Sequence, residues 1–264
     1  MVEPSLIHLI ADYGVGDPAF GEVVQKLYLL HPGVSVHEVS VPSFNTIATG
    51  FWTAQFAMVN PVPGMIIYSN TAPRRDDAES RKENEGEVLV YAELNNGSKV
   101  VGVNAGYCFS FIKKEIKKFC TVNVANKGSQ FRSRDFYPEV VIGIAKGETT
   151  FFGGKLSVSD IVDVPLNRIA WVDGYGNIKT TVRQSQVQKY ELGQPLLVSL
   201  GSMKRTAWFS DGSFNVREGE LAFAPGSNGG TDRFMELFLR GLSAWKELGK
   251  PTGDELLTVE VVDQ

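Results

Sequence analysis

The order of local patterns in the first 70 residues constrains the fold most. An apolar run at residues 5–14, SLIHLIADYG, is followed by apolar residues at helical spacing over 17–33. An alternating run at 34–41, a second helical pattern at 44–60 and the apolar run MIIYSN at 65–70 come next. This strand, helix, strand, helix, strand order is typical of a parallel sheet with helices on its faces. Residues 1–160 are therefore predicted to form a Rossmann-like α/β domain with a mostly parallel sheet.

The remainder of the chain has a different character. Short strand patterns separated by turn residues occupy 169–182, 195–209, 219–227 and 256–262. Regularly spaced short strands of this kind indicate an all-β arrangement. We predict a smaller, barrel-like β domain over residues 165–264, with the boundary near Pro165.

Charge and residue counts argue against several classes of function. With 26 Lys and Arg against 30 Asp and Glu, the formal net charge is −4, and a nucleic-acid surface is not expected because phosphate binding needs clustered basic residues. The only basic cluster, FIKKEIKKF at 111–119, has the spacing of an amphipathic helix with a solvated side. No apolar stretch is long enough to span a membrane.

Histidine and cysteine usage predicts neither a metal site nor an oxidising compartment. The chain has three histidines and two cysteines, and no histidine has a companion His or Cys at ligand spacing. No secretory segment precedes the first strand pattern, so we expect a cytoplasmic protein with reduced cysteines.

Polar residues follow each of the first three predicted strands. Asp12 and Asp17 follow the first, residues 43–45 the second and residues 70–75 the third. Ligands of parallel sheets bind beyond the carboxyl ends of the strands, so a site is expected at this edge. The Asp12 carboxylate could accept from two neighbouring hydroxyls or cap a helix, whereas Asp17, directly before Pro18, is interpreted as the cap.

The segment WVDGYGNIKTT at 171–181 interrupts a strand pattern with an acid, two glycines and an amide. Gly-Asn and Asp-Gly pairs are common in surface hairpins. The same residue types can also hold a ligand, since a carboxylate pairs a cation, an aromatic ring stacks on a purine and an amide both donates and accepts. The residues alone leave both interpretations open.

Four segments, in order along the chain, resemble one known family. They are ADYGVGD (11–17), SQFRSRDFYPEVVIGIAKG (129–147), VDGYGNIKTT (172–181) and APGSNGG (224–230). They are similar to motifs of the S-adenosylmethionine hydroxide adenosyltransferases, whose halogen-using relatives are the fluorinase and chlorinase. The resemblance covers nearly the whole chain.

The resemblance implies a role for each matching residue. Asp12 would hold both ribose hydroxyls, Asp173 the ammonium of the methionine moiety, and Asn177 the base edge, with Tyr175 against the adenine or ribose. Pocket walls and the contacts to the methionine carboxylate would come from Phe44, Asn45, Phe131, Ser227 and Asn228. Asn228 stands where the halogenases have an arginine.

The catalytic pattern of the family is altered in this chain. Its water-using members have an Asp and an Arg after the third strand and a His in the second motif. Here these positions are matched by Asn70 or Ser69, by Arg75 or Arg74, and by Arg132. Neither an amide nor a guanidinium is a general base near neutral pH.

The arginines of this region allow two interpretations. Arg75 and Arg132, together with Ser133, could form a small pocket for an anion or lower the pKa of a bound water. Alternatively, Arg132 and Arg134 pair with Asp135, Asp76 or Asp77, and the latter two acids could replace the missing one.

Three functions are consistent with the residues and the resemblance. The first is cleavage of S-adenosylmethionine by water or hydroxide at the ribose 5′ carbon, giving adenosine and L-methionine. The alternatives are a halide-using, chlorinase-like adenosyltransferase and a non-catalytic protein that binds S-adenosylmethionine or adenosine. No additional cofactor is expected, and the resemblance implies a homotrimer with its active sites at subunit interfaces.

Overall fold

The computed structural model of the chain describes residues 3–73, 79, 87–125, 129–212 and 215–262. Among the residues singled out above, Arg75 lies outside this part of the chain, as do Arg74, Asp76 and Asp77. The chain divides into two compact units, Met1–Asp163 and Val164–Gln264.

The first unit contains a seven-stranded mixed sheet. Its strands run in the order β2-β1-β3-β5-β4-β6-β7, with β2, β1, β3 and β5 parallel and the pairs from β5 to β7 antiparallel. The prediction of a mostly parallel sheet is therefore correct only for the first half. The strands are β1 (Leu6–Ala11), β2 (Ser35–Ser40), β3 (Met65–Asn70), β4 (Leu89–Leu94), β5 (Lys99–Val103), β6 (Ile116–Val122) and β7 (Phe152–Lys155).

Within the described residues, four α-helices accompany this sheet. They are α1 (Pro18–Leu30), α2 (Thr46–Met58), α3 (Arg132–Asp135) and α4 (Tyr137–Lys146). Asp17 caps α1 by accepting a hydrogen bond of 2.8 Å from the Ala19 amide, and Pro18 occupies the first helical position, where its missing N–H is not needed. The prediction that Asp17 is a helix cap is confirmed.

Strand order places the carboxyl ends of β1 and β3 at a reversal of the chain path. The connection from β1 leads outward to β2, and the chain then returns across β1 to β3. Ligands of open α/β sheets bind at such a point, because the two connections leave a crevice between them. Most residues of the strands that flank it are buried, and Ile10 and Ile67 are fully so.

The basic run at 111–119 does not form the predicted amphipathic helix. A short 3₁₀ helix covers Ser110–Glu115, and β6 begins at Ile116. β6 pairs with β4 on one side and β7 on the other, and the Lys118 ammonium lies 3.4 Å from the centre of the Phe152 ring. The prediction was wrong because pairing within the sheet outweighs the small helical preference of local sequence.

Two histidines that are distant in sequence are neighbours in the sheet. His8 of β1 and His37 of β2 are register partners, and their Nδ1 atoms are 3.0 Å apart. Burial, with a further contribution from His37, lowers the pKa of His8 to about 4. Spacing along the chain gives neither histidine a companion, because only the pairing of β1 with β2 brings the two together.

The second unit contains another seven-stranded sheet, in the order β14-β10-β11-β12-β13-β9-β8. All neighbouring pairs are antiparallel except β11 and β12, and a one-turn helix, α5 (Ala244–Glu247), precedes β14. The strands are β8 (Ile169–Val172), β9 (Ile178–Arg183), β10 (Pro195–Leu200), β11 (Met203–Phe209), β12 (Leu221–Pro225), β13 (Phe234–Leu239) and β14 (Leu257–Val261). Across the described residues of both units, no helix is long and apolar enough to cross a membrane.

Candidate functional site

A hydrogen-bonded group of side chains lies at the carboxyl ends of β1 and β3. The Tyr13 hydroxyl donates to Ser133 Oγ over 2.7 Å, and Asn70 Nδ2 donates to the Tyr13 oxygen over 3.2 Å. Tyr68 donates to the backbone carbonyl of Ser133 over 2.7 Å. Tyr13 thus brings together Asn70 and Ser133, which were predicted from separate sequence segments. Tyr13 itself directly follows Asp12 but was not among the predicted site residues.

This arrangement determines what Ser133 can offer to a ligand. Ser133 is 5% exposed, and its Oγ accepts from Tyr13, so its own proton is directed to a different acceptor. Burial raises the pKa of Tyr13 and of Tyr68 well above the ordinary range. Both phenols therefore remain protonated donors, and neither can serve as a base near neutral pH.

Asp12 connects this group to the loop before α2. Its Oδ2 accepts a hydrogen bond of 2.9 Å from the Phe44 amide, so Asp12 is not a helix cap. Phe44 has a φ of 62° and is 56% exposed. A bulky residue with positive φ is strained by about 1–2 kcal/mol, and such strain is concentrated at functional sites.

Asn45 plays a structural part next to Phe44. It is the N-cap of α2, where its Oδ1 accepts from the Ala48 amide over 2.9 Å, and it is 9% exposed. Of these two predicted pocket residues, Phe44 therefore presents an exposed ring, whereas Asn45 is a buried helix cap.

Phe131 and the short helix α3 that follows it supply aromatic and basic side chains to the site. The Phe131 ring meets the Tyr13 ring edge to face, with centroids 5.7 Å apart. Arg134 pairs with Asp135 over 2.7 Å and also with Glu22, as one of the two sequence interpretations required. The Arg132 guanidinium lies 5.7 Å from the centre of the Tyr137 ring, and its predicted partners Asp76 and Asp77 lie outside the described residues.

Glu87 is a buried carboxylate that the sequence analysis missed. β4 is antiparallel to β5, with Leu89 opposite Val103, so β4 begins at the edge where β1, β3 and β5 end. Glu87 lies two residues before β4 and is only 7% exposed. Without the strand direction, nothing in the sequence indicates that this glutamate is at the site edge.

Glu87 and two other charged residues act electrostatically on buried groups of the first unit. Burial raises the pKa of Tyr137, and the charges of Arg132 and Glu87 act on it in opposite directions. Burial also raises the pKa of Cys108 to about 12, with smaller contributions from Asp12 and Glu87. Glu87 therefore acts on one buried group together with Asp12 and on another together with Arg132.

The segment at 173–177 forms the hairpin loop between β8 and β9. One oxygen of the Asp173 carboxylate accepts from the amides of Tyr175 and Asn177, each over 3.0 Å, and the other accepts from Asn177 Nδ2 over 3.0 Å. Gly176 has a φ of 86°, and Tyr175 is 85% exposed. The hairpin interpretation is therefore correct, and the same loop presents an aromatic ring to solvent.

A buried lysine and a partly buried glutamate lie next to this loop. Lys179 is 7% exposed, and its Nζ lies 2.9 Å from Glu236 Oε2 and 3.7 Å from Asp173 Oδ2. Two carboxylates share one ammonium, which leaves a negative charge next to the loop. Glu236 was not among the predicted site residues, because only the pairing of β13 with β9 brings it there.

The segment at 226–228 adjoins the same charged pair. A Cβ at Gly226 would lie 2.5 Å from Glu236 Oε2, so the backbone here is in close contact with that carboxylate. Ser227 is exposed, whereas Asn228 is 7% exposed and accepts from the Phe234 amide through its backbone carbonyl. The predicted residues of the second unit thus lie in two loops around Lys179 and Glu236.

Comparison with known proteins shows the fold. No family model and no curated protein matches the chain. Among solved structures, it is similar to an uncharacterized conserved protein from Thermotoga maritima, with a TM-score of 0.77 and 15% identity over 96% of this chain and 99% of that one. It is also similar to a conserved hypothetical protein from Thermus thermophilus, with a TM-score of 0.68 and 18% identity over 97% and 99% of the two chains.

Proposed function

We propose that the chain cleaves S-adenosylmethionine, with water or hydroxide attacking the ribose 5′ carbon to give adenosine and L-methionine. One observation carries this proposal. Asp12, Asn70, Phe131 and Ser133, which the resemblance assigns to the ligand from separate segments, adjoin or contact Tyr13 at one sheet edge. Such convergence supports a common site.

The first unit would hold the ribose and the nucleophile. Asp12 binds the loop that carries Phe44 through one oxygen, and a carboxylate has further lone pairs with which to accept from ribose hydroxyls. Ser133 and Arg132 both offer donors, which suit the oxygen of an attacking water or hydroxide.

The second unit would hold the methionine and adenine ends. The negative charge shared by Asp173, Lys179 and Glu236 favours the ammonium of the methionine moiety. The exposed ring of Tyr175 is available to stack on a flat purine. As the resemblance implies, the proposed assembly is a homotrimer in which the first unit of one subunit and the second unit of its neighbour hold the ligand together.

The reaction needs little covalent assistance from the protein. The C5′–S bond breaks with its electron pair retained by sulfur, the new C5′–O bond forms, and the attacking water loses one proton. Because a sulfonium is already a good leaving group, aligning the nucleophile supplies much of the rate enhancement. Glu87 is the proposed proton acceptor, in place of the acid and histidine that the family uses.

Two other functions each have a supporting observation. A halide-using adenosyltransferase is favoured by the Ser133 hydroxyl, whose own proton is not used in the hydrogen bond from Tyr13 and whose neighbour in the sequence is Arg132. A protein that binds the nucleoside without turnover is favoured by Asn70 and Arg132 at the positions of the family acid and histidine.

One experiment separates the three functions. The protein is incubated with S-adenosylmethionine in chloride-containing and chloride-free buffers, and products are identified by liquid chromatography and mass spectrometry. Asp173→Ala is the test variant, and Asp163→Ala, which alters an acid that is 89% exposed in the first unit, is the matched control.

Adenosine in both buffers, lost in Asp173→Ala and kept in Asp163→Ala, supports hydrolysis. A 5′-chloro-nucleoside that forms only with chloride supports the halide-using reaction. Binding measured by calorimetry without any product refutes both reactions and leaves the binding function.

A further inference from the structure

We propose that His8 and His37 form a binding site for a divalent transition-metal ion that prefers nitrogen ligands, such as Zn²⁺, Ni²⁺ or Cu²⁺. The two residues are register partners on the parallel strands β1 and β2, so their side chains lie on the same face of the sheet. Their Nδ1 atoms are 3.0 Å apart. This site is separate from the proposed S-adenosylmethionine site and does not depend on it.

The separation of the two nitrogens suits a single ion. Zinc binds histidine nitrogen at about 2.0–2.1 Å, so two such ligands at angles of about 90–110° are about 2.9–3.4 Å apart. In the metal-free protein, the contact between the rings requires a proton on one Nδ1. When both Nδ1 atoms bind the ion, that ring carries its proton on Nε2 instead, and no net proton is released from two neutral imidazoles.

The surroundings hold one ring and expose the other. His8 stacks on Phe56, with centroids 4.0 Å apart and an angle of 9° between the planes, so its orientation is determined by packing. His37 meets His8 edge to face and is exposed on β2, which is an edge strand. Water can therefore reach the ion and complete its coordination.

The ligand set defines the class of ion. Imidazole nitrogen favours Zn²⁺, Ni²⁺ and Cu²⁺, whereas Mg²⁺ and Ca²⁺ prefer oxygen. Within the described residues, no group of three or more His, Cys, Asp or Glu could hold a metal ion. The site therefore has two protein ligands, and its affinity is lower than that of a four-ligand structural zinc site.

The test uses the full chain without an affinity tag, freed of metal with a chelator and dialysed. Isothermal titration with ZnCl₂ and with NiCl₂ measures binding, and MgCl₂ is titrated in parallel. His37→Ala removes one ligand, and His31→Ala is the matched control because His31 is the remaining histidine and lies at the end of α1. Circular dichroism checks the fold, and His37→Asn supplies a second variant.

We expect one Zn²⁺ or Ni²⁺ ion per chain, with no comparable binding of Mg²⁺. Since loss of an outer-shell partner alone weakens metal binding about 10–100-fold, loss of a ligand in folded His37→Ala should weaken it at least about tenfold. His31→Ala should bind as the wild type does. Absence of binding in the wild type, or equal affinity in the two variants, overturns the proposal.

Discussion

Replacing Gly176 by alanine should destabilise the second unit, whereas the same replacement at Gly174 should not. Both glycines flank Tyr175, but their environments differ. Gly176 has a φ of 86°, and a Cβ there would lie 2.0 Å from Ser243 Oγ; Gly174 has no positive φ, and no atom lies within 4 Å of its added Cβ. Only Gly176 is therefore required to be glycine.

The expected loss of stability has two parts. An L residue at positive φ costs about 1–2 kcal/mol. Ser243 must also move, and its Oγ accepts from the Lys246 amide as the N-cap of α5; loss of such a cap costs about 1 kcal/mol. We expect Gly176→Ala to lower the free energy of unfolding by about 2–3 kcal/mol, and Gly174→Ala to change it by less than about 1 kcal/mol.

Urea unfolding followed by tryptophan fluorescence measures this difference. Three of the four tryptophans, Trp171, Trp208 and Trp245, belong to the second unit, so the signal reports mainly on that unit. The Trp245 amide also donates to the Gly176 carbonyl. If the two variants unfold within about 0.5 kcal/mol of each other, the conformational argument is refuted.

Three further predictions concern the first unit. Tyr13→Phe should lower the free energy of unfolding of the protein by about 1–2 kcal/mol. In a double-mutant cycle with Ser133→Ala, measured by urea unfolding, the two substitutions should show a coupling energy of about 1 kcal/mol. Additive effects would contradict the hydrogen bond between the two side chains. If the protein hydrolyses S-adenosylmethionine, Glu87→Gln should lower kcat about 100-fold with little change in KM, and an unchanged kcat would exclude Glu87 as the proton acceptor. Hydrogen bonds from Arg134 and Ser129 lower the pKa of Asp135 to about 2, so its stabilisation is present above about pH 4 and is lost as pH falls through about 2. Because the group is partly exposed, Asp135→Asn should cost under about 1 kcal/mol at pH 7 and progressively less as pH falls through about 2.

The sequence predicted the local elements of the first 70 residues well, because these depend on near neighbours. Asp17 before Pro18 marked the start of α1, and the apolar run at 65–70 became β3. The basic run at 111–119 failed for the opposite reason, since β6 exists through its partners β4 and β7. Direction and pairing in the second half of the sheet have no local signal.

The candidate site was predictable to a similar extent. Asp12, Asn70 and Ser133 carry polar groups at predicted strand ends or in a recognisable motif. Tyr13 is apolar over most of its surface, and its role depends on a hydroxyl that reaches Ser133, 120 positions away. Glu87 follows a charged insert, and without the direction of β4 its sequence context predicts an ordinary surface acid.

Residue types and their spacing were enough to determine an α/β first unit, a β-rich second unit and the polar loops that end the strands. These features follow from hydrophobic periodicity and turn chemistry, which act over a few residues. The tertiary structure alone decided which strands are neighbours, in which register and in which direction. That decision buried Glu87 at the site edge and set His8 against His37, because contacts between distant segments arise from packing the whole sheet rather than from any segment within it.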